Sequence, residues 1–376
     1  MPALNVVLEE ARLQREHEGR VRSLSMREAP DSAHIREHGR EYLSFMGNDY
    51  LGLGHHPQVV QAAEKALEQY GAGAGASRVL SGNHPEYVAL ESALASSKQR
   101  EAALVFGSGY LANIGIFSAL LGEGDIVFAD KLAHACMLDG IALSGATLVR
   151  FAHNDMAHLK AQLEAHRGRG KQAIIATEHV FSMDGDIAPI HEIVSLAKAY
   201  DCWSMIDDAH GLGIVDSAAH ISVDIWMGTL SKAAGNYGGY VLGSRALIAH
   251  LINHARSFLF TTALPPATIA GARAALELMQ READRAENLR ARVKQFCEAL
   301  NLPYYATPIV PLVLGEASRS LAAAEALKNH GILASAIRPP TVPPHTARLR
   351  FSFSAEHTQA DIAKLVHALR TENLVP

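Results

Sequence analysis

The stretch TLSKAAGNYGGY, residues 229–240, places a single lysine, Lys232, among small residues and just ahead of Gly235, Gly238 and Gly239. No acidic residue occurs from Ile225 to Ser244, so the amine has no partner within its own segment. An amine held in a small, apolar and water-poor setting loses proton affinity and becomes a nucleophile toward carbonyls. If Lys232 has a partner, the fold must bring it from another part of the chain.

On either side of this segment, short β-rich runs alternate with helical stretches. Candidate strands are 103–106, 125–129, 147–151, 172–177, 203–207, 223–227 and 239–243, and LANIGIFSALL (111–121) and PIHEIVSLAKAY (189–200) are among the intervening helices. That alternation predicts an α/β fold: a mostly parallel seven-stranded sheet with helices on both faces. Ligands bind such sheets at the carboxyl ends of the strands. Polar residues gather at five of those ends: Ser108–Tyr110, Asp130–His134, Glu178–Ser182, Asp207–His210 and Thr229–Lys232. From about residue 256 the pattern changes to a long helical run followed by strands at 310–315, 332–337 and 348–353 and a last helix. The expected organisation is an N-terminal helical segment with small strands (1–45), a large domain (46–255) and a smaller α+β C-terminal domain (256–376).

Composition narrows the function classes. The chain has 376 residues, 48% hydrophobic and 19% charged, which describes a packed globular protein. A net charge of −5 gives no nucleic-acid footprint. The 20 histidines form no H-E-x-x-H, so no metal site is expected. Cys136, Cys202 and Cys297 are far apart and form no C-x-x-C, which suits a reducing, cytoplasmic setting. The N-terminus is charged from Glu9 onward, without a signal-peptide core. One uncharged run, Ala102–Gly122, is long enough to cross a bilayer. Its Gly107, Ser108, Gly109 and Asn113 divide it into strand, turn and buried helix, so no membrane segment is expected.

Two further elements give Lys232 a context. Asp207 ends a buried hydrophobic strand, where a carboxylate is costly unless a cation or donor meets it. Taken alone it could tie down a loop, as Asp208 could cap the next turn and His210 could be a core histidine. FGSGYLANIG (106–115) offers a glycine turn entering a helix, whose free N–H groups favour an anion. By itself such a turn is commonplace. Together, a lysine nucleophile, a strand-end carboxylate and an anion cradle are what pyridoxal phosphate requires.

In this light the chain resembles the α-oxoamine synthase family of fold-type-I pyridoxal-phosphate enzymes. The resemblance rests on GNDYLGLGHHP (47–57), SGYLAN (108–113), DKLAHACMLDG (130–140), FAHNDMAHL (151–159), TEHVFSMDGDIAPI (177–190), DDAHGLG (207–213), TLSKAAGNYGGY (229–240) and IRPPTVPPHTARLR (337–350), in the expected order over nearly the whole chain. FAHND and IRPPTVP resemble members that join L-alanine to a pimeloyl thioester for biotin synthesis more than glycine-using relatives. The resemblance implies a homodimeric acyltransferase that uses pyridoxal 5'-phosphate and takes its acyl group from coenzyme A or an acyl carrier protein. It implies that Lys232 holds the cofactor and moves the α-proton, and that Asp207 meets the pyridine nitrogen. His134 would stack on the ring and organise the acyl substrate, and His210 and Ser182 would surround the phenolic oxygen. Gly109, Tyr110 and Thr229 would bind near the phosphate, joined by Thr261 and Thr262 from a partner subunit. Glu178 would lie near the reacting carbonyl. Asn48 and Arg338 would hold the amino-acid carboxylate, and Arg22 and Thr341 would meet the acyl substrate.

Two positions depart from the family: Tyr87 stands where relatives commonly carry His, and Gly47 where they carry Ser before NDYLGL. Within the resemblance a glycine-using synthase and an aminotransferase on the same fold remain open. A binding protein that has lost catalysis would be expected to have lost some of Lys232, Asp207, His134, His210 and Arg338. A nicotinamide enzyme is excluded by the lack of G-x-G-x-x-G after a first strand.

Overall fold

The computed structural model describes residues 3–18, 21–22, 24–215 and 221–375. Its strands are β1 (His34–Glu37), β2 (Arg40–Phe45), β3 (Ala102–Phe106), β4 (Ile126–Asp130), β5 (Thr147–Phe151), β6 (Ala173–Glu178), β7 (Trp203–Asp207), β8 (Ile225–Thr229), β9 (Gly239–Gly243), β10 (Ile309–Gly315), β11 (Ile332–Ile337) and β12 (Ala347–Ser352). Its helices are α1 (Leu4–His17), α2 (Pro57–Tyr70), α3 (Pro85–Ser97), α4 (Gly109–Leu120), α5 (Ala135–Ser144), α6 (Met156–His166), α7 (Ile190–Ala199), α8 (Arg245–His254), α9 (Arg256–Leu259), α10 (Pro266–Arg281), α11 (Asp284–Leu300), α12 (Ala317–Asn329) and α13 (Gln359–Thr371).

The seven-stranded sheet runs in the order β3-β9-β8-β7-β6-β4-β5. It is parallel except for β9, which lies antiparallel between β3 and β8. Every residue of β4, β6 and β8 is buried, the signature of a sheet covered by helices on both faces. Because side chains alternate along a strand, neighbouring residues feed two separate cores. Phe128, Ile175, Ile206 and Trp226 enter one, while Val127, Ile174, Met205 and Met227 enter the other, beneath α4 and α5. The uncharged run 102–122 is β3 followed by α4, and among the described residues no helix is long and apolar enough to cross a membrane.

The expected strands lie where the sequence placed them, with small shifts at their ends. The run read as 223–227 is β8, Ile225–Thr229, so Thr229 itself closes the strand. Likewise Asp130 and Glu178 are the last residues of β4 and β6 rather than loop residues. The long helical run after residue 266 is two helices. The Glu282 amide closes α10 on the Leu278 carbonyl, and Asp284 and Glu287 sit in the first turn of α11, where acidic side chains favour a helix start.

The second sheet has the order β1-β2-β11-β12-β10. The N-terminal hairpin β1–β2 therefore joins the C-terminal strands through the parallel β2–β11 pair. One consequence matters for the site: β12 carries Arg350 on a fully buried strand and points it at the loop after β6, where its Nε donates to the Ser182 carbonyl at 2.6 Å.

Candidate functional site

The glycines after Lys232 are required by close approach. A Cβ on Gly235, which has φ +58°, would run into the backbone of Gly54. A Cβ on Gly239 would run into Ser108 and Gly109. The Lys232 turn is thereby wedged between the NDYLGLG segment and the start of α4, and β9 can begin directly against that turn. Ser108 caps α4, accepting from the Leu111 amide at 3.2 Å, which leaves the first turn of the helix presented to the same space.

That space is a cavity of about 230 Å³ lined by Ser108, Gly109, Tyr110, His134, Cys136, Glu178, Asp207, Ala209, His210, Met227, Thr229, Ser231 and Lys232. A larger cavity, about 460 Å³, opens at the other ends of the strands beside Trp203, Asp224 and Ser244, and none of the expected site residues lines it. Chemistry, not size, marks the smaller one. Here the strand ends deliver a lysine, two carboxylates and two histidines into one enclosure.

The geometry is specific. Lys232 Nζ lies 2.7 Å from His210 Nε2, and His210 Nδ1 lies 2.7 Å from the Tyr50 hydroxyl. Although the Lys232 residue is only half-buried, its amine is enclosed, and burial lowers its pKa to about 8 against the pull of Asp207 and Glu178. His210 is held well below the usual histidine range by burial and by the Lys232 charge, so it is neutral. Asp207 accepts from Asn113 Nδ2 at 2.9 Å and from the Ala209 amide at 3.0 Å. Burial pushes Asp207 upward while Lys232 pulls it down. Glu178 accepts from the Ser182 amide at 3.0 Å, but its Oε1 is buried without a partner, and burial raises its pKa to about 8. His134 caps α5 and is held below its usual value by burial. The Thr229 hydroxyl donates to the Gly238 carbonyl at 2.8 Å and meets Ser231 Oγ at 2.7 Å.

Of the expected site residues, Lys232, Asp207, His134, His210, Glu178, Gly109, Tyr110 and Thr229 line this cavity. Ser182 is buried beside it, and its backbone ties Glu178 to Arg350. Asn48 is exposed, and its side chain reaches the site through Tyr50, whose hydroxyl donates to Asn48 Oδ1 at 3.1 Å. Arg338 is half-buried at the end of β11, and its carbonyl accepts from the amide of exposed Thr341 at 3.1 Å. Thr261 is half-buried and Thr262 exposed after α9, and Arg22 is exposed after α1. None of these seven lines the cavity within one chain.

Asp208 differs from the cap suggested by its sequence. It is fully buried on the opposite face of the sheet, bonded to His179 Nδ1 at 2.7 Å and Trp226 Nε1 at 3.2 Å, with Lys98 Nζ at 3.4 Å. Sequence reading also passed over Tyr50, Asn113, Cys136, Ser231 and Arg350. All five stand inside the motifs that carry the family resemblance. Arg348 and Arg350 gave the clearest signal: two arginines in an otherwise apolar strand, both buried. Tyr87 anchors the start of α10, accepting from the Leu264 amide at 2.7 Å beneath the Arg78 guanidinium.

The donor set fits pyridoxal phosphate. The cavity holds an amine of lowered basicity, a buried carboxylate on a neighbouring strand, a helix N-terminus, and in Glu178 Oε1 a buried polar atom still lacking a partner. The profile of the family "Aminotransferase class I and II" matches residues 40–369. The chain belongs to that family. Curated relatives include the 8-amino-7-oxononanoate synthase of Methylobacterium nodulans, 53% identical over 88% of this chain and 87% of that protein. The putative 8-amino-7-oxononanoate synthase of Acidiphilium cryptum is 50% identical over 91% of both. Among solved structures, the Sphingomonas wittichii serine palmitoyltransferase superposes with a TM-score of 0.93 at 28% identity, covering 100% of both chains. A variant of the S. paucimobilis serine palmitoyltransferase with a bound PLP–myriocin aldimine gives 0.92 at 27% identity, again over 100% of both. The Francisella tularensis 8-amino-7-oxononanoate synthase gives 0.76 at 27% identity, over 88% of this chain and 98% of that one. The fold is that of the fold-type-I pyridoxal-phosphate enzymes, and the chain is a PLP-dependent transferase of the acyltransferase kind.

Proposed function

We propose that the protein condenses L-alanine with a pimeloyl thioester to give 8-amino-7-oxononanoate, the thioester being carried by coenzyme A or by an acyl carrier protein. One proton is consumed, and carbon dioxide and the carrier thiol are released. The observation that carries the reading is the enclosed Lys232 amine, 2.7 Å from neutral His210 and sharing a cavity with buried Asp207. The choice of alanine and pimeloyl follows the synthases about 50% identical to this chain rather than the serine palmitoyltransferases of similar shape but 28% identity.

Bound pyridoxal phosphate would supply an aldehyde to capture the amino acid and a ring to take up the electrons released at its α-carbon. The residues do the rest. Asp207, supported by Asn113, would hold a proton on the pyridine nitrogen. Ser108, Gly109 and Tyr110 at the start of α4 would take the phosphate together with Thr229, and Thr261 and Thr262 would reach it from a second subunit of a homodimer. Lys232 would remove the α-proton and return a proton to the same carbon after carbon dioxide leaves. His134 and Glu178 would stand beside the thioester carbonyl, Glu178 as a proton donor because its carboxyl is protonated up to about pH 8. Arg338 and Asn48 would grip the amino-acid carboxylate, with Arg22 and Thr341 on the acyl chain.

The test is a matrix of L-alanine, glycine and L-serine against pimeloyl, acetyl and palmitoyl thioesters on both carriers, read by thiol release and product mass. Thiol release confined to alanine with pimeloyl supports the proposal. Release with glycine alone, or pyridoxamine phosphate formed from alanine without any thioester, overturns it.

A further inference from the structure

The hydrogen bonds behind Lys232 form one chain whose proton positions can be counted. Lys232 Nζ meets His210 Nε2 at 2.7 Å, His210 Nδ1 meets the Tyr50 hydroxyl at 2.7 Å, and that hydroxyl donates to Asn48 Oδ1 at 3.1 Å. Tyr50 is buried and does not line the cavity, so its hydroxyl has no cavity water to fall back on. Tyr50 has a single proton; Arg350, which also bonds this hydroxyl, can only donate to it, and Asn48 Oδ1 can only accept. With that proton committed to Asn48, the Tyr50 oxygen must accept from His210, which puts the imidazole proton on Nδ1. The other end agrees independently: an ammonium can only donate, so His210 Nε2 must be bare to receive it. We propose that Tyr50 is a positioning residue that fixes His210 in the Nδ1–H form, leaving Nε2 as the acceptor for the Lys232 amine.

The chain orients protons and does not conduct them, because it ends at an amide carbonyl that cannot keep one. It also links Asn48, at the surface, to the acceptor strength felt by Lys232 deep in the cavity. A ligand that takes Asn48 Oδ1 frees the Tyr50 proton to turn toward His210 Nδ1, and the imidazole proton then moves to Nε2. His210 so changes from acceptor to donor toward whatever lies at the amine's place. This holds whichever amino acid and thioester the enzyme takes, so failure of the substrate reading leaves it standing.

The test uses the full chain freed of cofactor, with ¹⁵N-labelled histidine and lysine, His210 being assigned by loss of its signals in His210→Gln. Wild type should show a protonated Nδ1 and a bare Nε2. In Tyr50→Phe the buried Nδ1–H loses its acceptor, so once the Lys232 amine is neutral and can accept as well as donate, the proton should shift to Nε2. The Lys232 ammonium then loses its acceptor, and the Lys232 titration should fall by about one pH unit. Asp207 from β7, Glu178 from β6, Arg350 from β12, and His134 and Cys136 at α5 also face this pair; Tyr50→Phe also takes from Arg350 the hydroxyl it donates to, whereas Asn48→Ala leaves that contact in place. Asn48→Ala, on an exposed residue, should move both readouts the same way by less, and it serves if Tyr50→Phe does not fold. A wild-type Nε2–H form, or identical ring signals and Lys232 titration in wild type and variants, overturns the proposal.

Discussion

Asp207 and Asp208 are neighbours at the end of β7, both buried, yet they occupy opposite electrostatic settings. Asp208 faces the core of Trp226, where His179 and Lys98 hold its pKa below the usual carboxylate range. Asp207 faces the cavity, where burial pushes it upward and the charge that pulls it down most, Lys232, is itself only weakly basic. The alternation of the strand explains the split, since successive side chains must leave by opposite faces. On the Asp208 side the charges are matched and spent on structure. On the Asp207 side an amine, two carboxylates and two histidines are left incompletely matched. Functional sites are where such mismatch is found.

The largest effect expected from breaking this contrast is on Lys232. Lys232→Ala should leave folding intact while turnover falls by about 10²–10⁴-fold or more, as for loss of a positioned proton-transfer group. Borohydride should then fix no cofactor to the protein. The pH response has a definite sign. The Lys232 amine is lowered to about 8 from 10.5, so its reaction with an aldehyde probe in the cofactor-free protein should rise through pH 8 and level off above it. Between pH 8 and 10.5 the unfolded chain binds the proton that the folded chain has released, so this group makes stability rise with pH there.

The two aspartates should separate next. Asp207→Asn should lower turnover by about 10²–10⁴-fold with stability unchanged or raised. Asp208→Asn should leave the Lys98 ammonium buried without a counter-charge and cost about 3–5 kcal/mol in urea unfolding. The double change Lys98→Met with Asp208→Leu should recover most of that loss, because the charge is removed with its partner. If Asp208→Asn instead lowered turnover at unchanged stability, the division of labour between the two faces would be wrong.

Much of this was legible in sequence, for a physical reason. The parallel strands are buried on both faces, so they read as unbroken apolar runs ending in polar residues, and those ends are where a parallel sheet binds ligands. Lys232, Asp207, His134 and His210 therefore announced themselves. What escaped were residues whose meaning depends on approach from outside the large sheet. Tyr50 enters from the segment before α2, and Arg350 comes from the second sheet, which pairs residues more than 280 positions apart at β2 and β11. No local periodicity records such a meeting. Asp208 was misread because a strand-end aspartate looks the same whether it caps a turn or crosses to the far core.

A third, smaller effect concerns the FAHND motif. His153 lies between Asp130 Oδ1 at 3.1 Å and Asp186 Oδ2 at 2.8 Å, clamping the end of β4 to the hairpin that follows Glu178. Against the opposing effect of burial, the two carboxylates raise its pKa to about 10. Because the folded value lies above the unfolded one, its contribution is complete below about pH 6.5 and is lost as pH rises toward 10. His153→Gln should cost about 2 kcal/mol at pH 6, partial exposure screening a larger value, and almost nothing at pH 10.5. Urea unfolding at the two pH values reads the difference, and an equal cost at both would mean the histidine acts by shape alone.

The smallest effect is expected at Gly47, in the segment that leads to Asn48. A Cβ at Gly47 would meet only the Ser32 carbonyl oxygen, at 3.8 Å, so nothing in the fold demands a glycine there. Gly47→Ser should change stability by no more than about 0.5 kcal/mol. It lies beside Asn48, however, the outer end of the hydrogen-bond chain to Lys232, so a hydroxyl there competes for the Asn48 amide rather than for space. KM for the amino acid is the readout that separates these two routes. A change in KM at constant Tm would show Gly47 acting on Asn48, whereas a fall in Tm would show that the surroundings of Gly47 near Ser32 leave less room than the 3.8 Å approach indicates.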